Sequence, residues 1–288
     1  HHSNIVPWQM MCKRKGAVLK VLPVDESGHL RVELLNELIS DRTRIMAVTH
    51  ISNVLGLINP VGEIIALCHS RNVPVFVDGA QGAVHCKVDV QEMDCDFYAF
   101  SGHKLYAATG TGVLYGKKKW LEAMPPYMGG GEMVGTVTFE ETTYAPLPMK
   151  FEAGTQNLSS TPTLKPALEI VNLLNNNELT ENTDAIRDFI LEHFLKDERI
   201  RLFGVPRGTN EEKIPLFSFS VAGVHHEDLA LILDKMGIAV RSGQMCAEPL
   251  MNRFGVTGML RVSFAPYNTV EEAEYFVKCL DRAIGMLM

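Results

Sequence analysis

The chain has 288 residues, 46% hydrophobic and 21% charged, which excludes a disordered, collagenous or small disulfide-stapled protein and supplies apolar material for one or two cores. Its 27 basic and 34 acidic residues give a net charge of −7, and no basic run exceeds Lys117-Lys118-Lys119, so no footprint for nucleic acid is present. Apolar stretches fall far short of the roughly 20 residues that span a bilayer and no charged-then-apolar leader is present, so no membrane is expected and the expected location is cytoplasmic.

In chain order, Val- and Ile-rich runs alternate with helical periodicity up to about residue 155. The pattern predicts strands over 18–22, 44–49, 73–77, 97–100 and 112–115, with helices over 32–39 and 61–72 between them. The run 44–49 barely alternates, which predicts burial on both faces. Strands alternating with helices imply a mostly parallel sheet covered by helices. After Asn157 the texture changes: helices are predicted over 164–174 and 180–196, separated by the polar stretch 175–178, a route out of the first domain. Strands over 201–203, 216–221, 238–240 and 260–264, with helices over 227–236 and 271–288, predict a smaller α+β domain.

Ligands collect at the carboxyl ends of strands in α/β sheets, so the strand exits come first. Thr49 leads into His50-Ile51-Ser52-Asn53, Val77 into Asp78-Gly79-Ala80-Gln81, and Phe100 into Ser101-Gly102-His103-Lys104. A lysine that forms a Schiff base and an acid that holds a ring nitrogen protonated are the minimum equipment for pyridoxal phosphate chemistry. Taken singly, Asp78 also fits a helix N-cap and Lys104 a solvated loop residue; their occurrence at successive exits favours the chemical reading. Ser101 and His103 carry donors suited to a phosphate, or else form a polar turn. Cys12, Cys68, Cys86, Cys95, Cys246 and Cys279 lie far apart with no C-x-x-C pair, so neither a metal site nor a disulfide framework is expected. Gly129-Gly130-Gly131 follows no strand and is no phosphate loop by itself. His225 and His226 are expected to cap the following helix or face solvent, and Tyr275, Phe276, Leu280, Ile284 and Leu287 to pack into the core.

Six ordered segments carry a resemblance: His1 to Gln9, Thr49 to Gly56, Val77 to Gln81, Phe100 to Lys104, Phe151 to Thr155, and Arg241-Ser242-Gly243-Gln244-Met245-Cys246-Ala247. The chain closely resembles cysteine desulfurases and, in its Arg-x-Gly-x-x-Cys-Ala loop, is similar to the Suf-type (group II) branch of the class V aminotransferase family. The resemblance implies the aspartate-aminotransferase-like fold, fold type I of the pyridoxal phosphate-dependent transferases: α/β, with a large cofactor domain over 1–157 and a linker helix and small C-terminal domain over 158–288. It implies an enzyme that takes sulfur from L-cysteine and leaves alanine.

Carried over by position, Lys104 is the Schiff-base lysine and proton carrier, and Asp78 the partner of the ring nitrogen. Gln81 and Asn53 address the ring hydroxyl and the substrate side, Ser101 and His103 the phosphate, and His1 stacks on the ring and helps move protons. Thr155 reaches the phosphate of a neighbouring subunit, which implies a homodimer. Arg261 receives the substrate carboxylate, with Arg241 beside it. Cys246 takes the sulfur as a persulfide; without the motif it equally fits a buried structural cysteine. The implied partners are L-cysteine, or L-selenocysteine in a lyase variant, and a SufE-like sulfur acceptor serving iron–sulfur cluster assembly. Relatives of this kind carry a substantial segment ahead of the His-His-Ser-Asn motif, including a loop whose amides bind the cofactor phosphate, whereas this chain opens on His1 without Met. Weaker cofactor binding is therefore expected. Two readings stand: an active desulfurase, and a truncated, non-catalytic remnant that only dimerises or binds partners.

Overall fold

The computed structural model describes residues 1–175 and 177–288, except for the side chains of residues 177 and 178. Three apolar runs form β1 (Met46–Thr49), β2 (Val75–Asp78) and β3 (Phe97–Ser101), which pair in parallel; β4 (Gly112–Gly116) joins β3 antiparallel, giving the order β1-β2-β3-β4. Along β2, fully buried Val75 and Val77 alternate with half-buried Phe76 and Asp78, as the two-residue period of a strand requires. The helix Val61–His69 packs Ile64, Ile65 and Cys68 against Val48, Val75, Val77 and Tyr98. Each such aliphatic side chain contributes roughly 1.5–3 kcal/mol on burial. Because β1, β2 and β3 run the same way, Thr49, Asp78 and Ser101 end on one edge of the sheet.

The opposite edge holds Asp96, whose side chain is only 2% exposed. It accepts hydrogen bonds from Trp120 Nε1 at 2.6 Å, His69 Nε2 at 2.7 Å and the Val75 amide at 2.9 Å. Burial pushes this carboxyl up, but those three donors and nearby Lys117 outweigh it and hold the group below the usual carboxylate range.

A hairpin of β5 (Val134–Val137) and β6 (Thr142–Tyr144) stands apart from both larger sheets, with Phe139 in its turn fully exposed. The second large sheet comprises β7 (Ile200–Phe203), β8 (Leu216–Val221), β9 (Arg241–Gly243) and β10 (Met259–Ser263), antiparallel in the order β7-β8-β10-β9. The helices Asn177–Lys196, His226–Lys235 and Val270–Leu287 share a core with it, centred on Phe194, Phe217, Phe219 and Phe276. The rings of Phe194 and Phe219 lie 4.7 Å apart between centroids. The last helix begins with a reciprocal capping box between Thr269 and Glu272, which satisfies two amide donors that no helical bond reaches.

Several expectations are corrected. Residues 18–22 form no strand: Val18 and Val21 are 82% and 64% exposed, and no ladder runs through them. The helix predicted over 32–39 breaks into a 3-10 turn, Val32–Leu34, and one α turn, Leu35–Leu38. β1 is an edge strand with only Val48 buried, not a strand covered on both faces. The strand predicted over 238–240 lies three residues later, at β9. Tyr275 is 52% exposed, its hydroxyl donating to the Met236 carbonyl, whereas Phe276, Leu280 and Ile284 are buried as expected. His225 caps the helix His226–Lys235 by accepting from the Glu227 amide. The polar stretch 175–178 lies partly outside the described residues. Among the described residues no helix is long and apolar enough to cross a membrane.

Candidate active site

The three strand exits open onto one cavity of about 200 Å³, lined by Thr49, Asn53, Asp78, Gln81, Ser101, Lys104 and His1, among others. The exit of β2 is pressed against Tyr98, so close that a Cβ on Gly79 would lie 2.0 Å from the ring. Only glycine permits that approach, which sets Asp78 at the cavity wall. The Asp78 carboxylate accepts from the Ala80 amide at 3.1 Å and otherwise faces the cavity. His50 lies behind this wall, Nδ1 3.1 Å from the Tyr98 hydroxyl, and burial pulls its pKa down.

Lys104 sits on the 3-10 turn Gly102–Leu105 that follows β3. Burial pulls its amine below the ordinary lysine range; Arg261 and Arg241 lower it further, while Asp78 and Cys246 oppose the shift. Lys104 therefore shares one electrostatic neighbourhood with groups from both large sheets. Arg241 and Arg261 are register partners on β9 and β10. Burial, then Arg241, lowers the Arg261 pKa; its Nη1 donates to the Asn53 carbonyl at 2.7 Å, and its Nε is buried with no partner among the described residues.

Cys246 follows β9 in a loop where it and Met245 both adopt left-handed backbone, at φ 57° and 55°. Such a conformation costs about 1–2 kcal/mol per non-glycine residue, so the surroundings must hold it. They do: Met245 is 2% exposed in a core with Val54, Leu55, Met251 and Met259, and its carbonyl accepts from Asn53 Nδ2 at 2.9 Å. The Cys246 carbonyl accepts from the His2 amide at 2.7 Å, and Arg241 reaches its Sγ at 3.8 Å. Of the six cysteines Cys246 alone is exposed; Cys68, Cys95 and Cys279 are buried and Cys12 and Cys86 intermediate.

The Aminotransferase class-V family profile matches residues 1–276. Cysteine desulfurases of Cronobacter sakazakii and Salmonella agona are each 45% identical over all 288 residues, which span 70% of either protein. The chain belongs to the class-V aminotransferases, as a cysteine desulfurase. The cysteine desulfurase CsdA (S-sulfonic acid) of Escherichia coli superposes with a TM-score of 0.93 at 44% identity, over 100% of this chain and 71% of that one. The apo cysteine desulfurase of Thermococcus onnurineus NA1 gives 0.93 at 31% identity, with the same coverage. A desulfurase of this family depends on pyridoxal phosphate and has the α/β fold of fold type I. With similarity running unbroken through both sheets, the reading as a non-catalytic remnant is not favoured.

Of the residues picked from sequence, His1, Asn53, Asp78, Gln81, Ser101 and Lys104 line the desulfurase cavity. His103, on the same turn as Lys104, is exposed and outside the lining, as is Thr155. Cys246, Arg241 and Arg261 also lie outside it, although Asn53 connects to both the Cys246 loop and Arg261. Sequence reading passed over Lys213 and Ser218, both buried beneath that connection. A lysine beside the apolar run Ile214 to Phe217 was the available signal.

Proposed function

We propose that the desulfurase reaction runs between Lys104 and Cys246, with Asp78, Asn53, Gln81, Ser101, His103 and His1 addressing the cofactor and Arg261, Arg241 and Asn53 the substrate. The carrying observation is that Lys104 and Asp78 line one cavity with Asn53, which is hydrogen-bonded to both the Cys246 loop and Arg261. The donor set fits pyridoxal phosphate: a cavity-facing carboxylate, a half-buried amine, and hydroxyl and imidazole groups. Bound there, the cofactor supplies an electron sink for bonds at an amino acid's α-carbon. Asp78 would keep its ring nitrogen protonated, and Lys104 would attach it and then move the proton at the substrate α-carbon. The orphaned Nε of Arg261 is the donor a substrate carboxylate would satisfy.

The Cys246 thiolate attacks the substrate sulfur, forming an S–S bond as the C–S bond breaks. The C–S electron pair stays with the carbon skeleton, which takes up a proton. L-cysteine and the Cys246 thiol thereby become L-alanine and a Cys246 persulfide. L-selenocysteine is the near-variant substrate. Exposure of Cys246 supports delivery to a SufE-like acceptor for iron–sulfur cluster assembly in the cytoplasm. A homodimer is supported by Thr155, exposed and away from its own cavity, and by exposed Tyr127, Phe139 and Tyr144. Division at residues 157 and 158 belongs to the same proposal.

Borohydride reduction with added pyridoxal phosphate, followed by peptide mapping, is expected to label Lys104. Cys246→Ala is expected to keep the cofactor's colour and release no alanine from cysteine; normal turnover in that variant would sink the persulfide role.

A further inference from the structure

The two large sheets meet along the loop 52–57. The Ile58 amide donates to the Glu212 carbonyl at 2.8 Å and the Ile214 amide to the Gly56 carbonyl at 2.9 Å, with Leu57 and Lys213 forming an antiparallel bridge. Gly56 has φ +68°, and a Cβ there would lie 2.6 Å from the Leu216 carbonyl, so the approach of the two segments requires glycine. On this seam three successive carbonyls are each taken by a side chain. Arg261 Nη1 donates to Asn53 at 2.7 Å, Ser218 Oγ to Val54 at 2.5 Å, and Lys213 Nζ to Leu55.

Lys213 is the unusual member. It is 1% exposed, and no carboxylate pairs with it among the described residues; its company is the Leu55 carbonyl and the ring of Phe217, 5.3 Å away. Lysines are almost never buried without an ionic partner, because desolvating an ammonium is expensive. Burial pulls its pKa down to about 7. Charged or neutral, the amine keeps N–H donors, so the bond to Leu55 persists through neutral pH. Two residues up the loop, Asn53 grips the Met245 carbonyl next to Cys246 and offers its own carbonyl to Arg261.

We propose that Lys213 is a positioning residue for sulfur abstraction: by holding the Leu55 carbonyl it fixes the loop 52–57, and through Asn53 it sets both the Cys246 loop and Arg261. The inference rests on the proposed role of Cys246. It deepens that role by assigning the cysteine's placement to a buried amine on the other sheet's approach segment.

The test uses the full chain with pyridoxal phosphate and compares wild type with Lys213→Met, Lys213→Arg and Ser218→Ala. Three quantities are read: the alkylation rate of Cys246 by iodoacetamide, from peptide masses; KM and kcat for cysteine; and the visible absorbance of the bound cofactor. Lys213→Met is expected to alkylate Cys246 at least about threefold faster and to raise KM about tenfold, with the cofactor absorbance unchanged. A cavity of about 230 Å³ beside Lys213 leaves room for a guanidinium, so Lys213→Arg is expected to return both values to within about twofold of wild type. A lowered thermal midpoint in Lys213→Met with unaltered alkylation and KM would overturn the proposal. Should Lys213→Met fail to fold, Ser218→Ala, which frees the Val54 carbonyl of the same loop, decides: alkylation about twofold faster supports the proposal, and an unchanged rate overturns it. A wild-type chain that binds cofactor yet releases no alanine would defeat the proposed role of Cys246 instead, while the alkylation rates still report on the hold on loop 52–57.

Discussion

Asp78 and Asp96 stand at opposite ends of the parallel strands of one mixed sheet, and their surroundings differ in the number of donors each receives. Asp96 accepts three hydrogen bonds in near-complete burial, whereas Asp78 accepts one, from the Ala80 amide, and keeps the rest of its lone pairs toward the cavity. A carboxylate whose acceptors are filled is committed to holding the fold; one with spare acceptors is free to hold a ligand. The same residue type thus serves structure at the strands' amino ends and, on the proposed reading, chemistry at their carboxyl ends.

Substitutions at the two ends should separate accordingly. The largest effect is expected from Lys104→Ala, which removes the amine facing Asp78: alanine release should fall about 10³-fold, within the range for a lost proton-transfer group, with the thermal midpoint held or raised. Rates within tenfold of wild type would show that Lys104 is not the carrier. Asp78→Asn is expected to lower the rate on the order of 10²-fold and to weaken cofactor retention on gel filtration, leaving the urea midpoint of the cofactor-free chain unchanged. Asp96→Asn should invert that pattern. Its NH2 would set donor against donor either at Trp120 or at His69 and Val75, which share the other oxygen, at about 1–3 kcal/mol of stability by urea unfolding, while kcat of the folded fraction stays put.

The smallest effect concerns acid. The folded-state pKa of Asp96 is depressed, so its contribution is fully present above the unfolded carboxylate pKa near 4 and is lost as pH falls through the lower folded value. The stability difference between wild type and Asp96→Asn should therefore narrow below about pH 4. A constant difference down to pH 2 would show that the hydrogen bonds do not favour the charged form.

Asn53, Asp78, Gln81, Ser101 and Lys104 were legible in the sequence because each lies just past an apolar run, and a polar cluster at such an exit is conspicuous, whereas His1 was legible only as part of a motif. Cys246 and Arg241 were legible only as a motif, since β9 is three residues long with none buried, and Arg261, though on the well-buried β10, was likewise assigned by the resemblance. The run 18–22 has the composition of a strand, but composition cannot state whether a ladder partner exists. The hairpin β5–β6 escaped for the reverse reason: Val134-Gly135-Thr136-Val137 lacks a clear two-residue alternation, yet backbone pairing forms it with help from the Thr138 and Thr143 hydroxyls. Least legible was the seam at residues 53–55, because the acceptors are carbonyls, which every residue possesses.

The hairpin also bears on how a single copy of the chain meets bulk water. Phe139 projects into water, with Val137 60% and Tyr144 47% exposed nearby, and hydrating this apolar arm is unfavourable by roughly 25 cal/mol per Å². Sulfate and phosphate salts sharpen that penalty. A single copy of the chain should therefore salt out at lower salt than a pair in which this arm is covered.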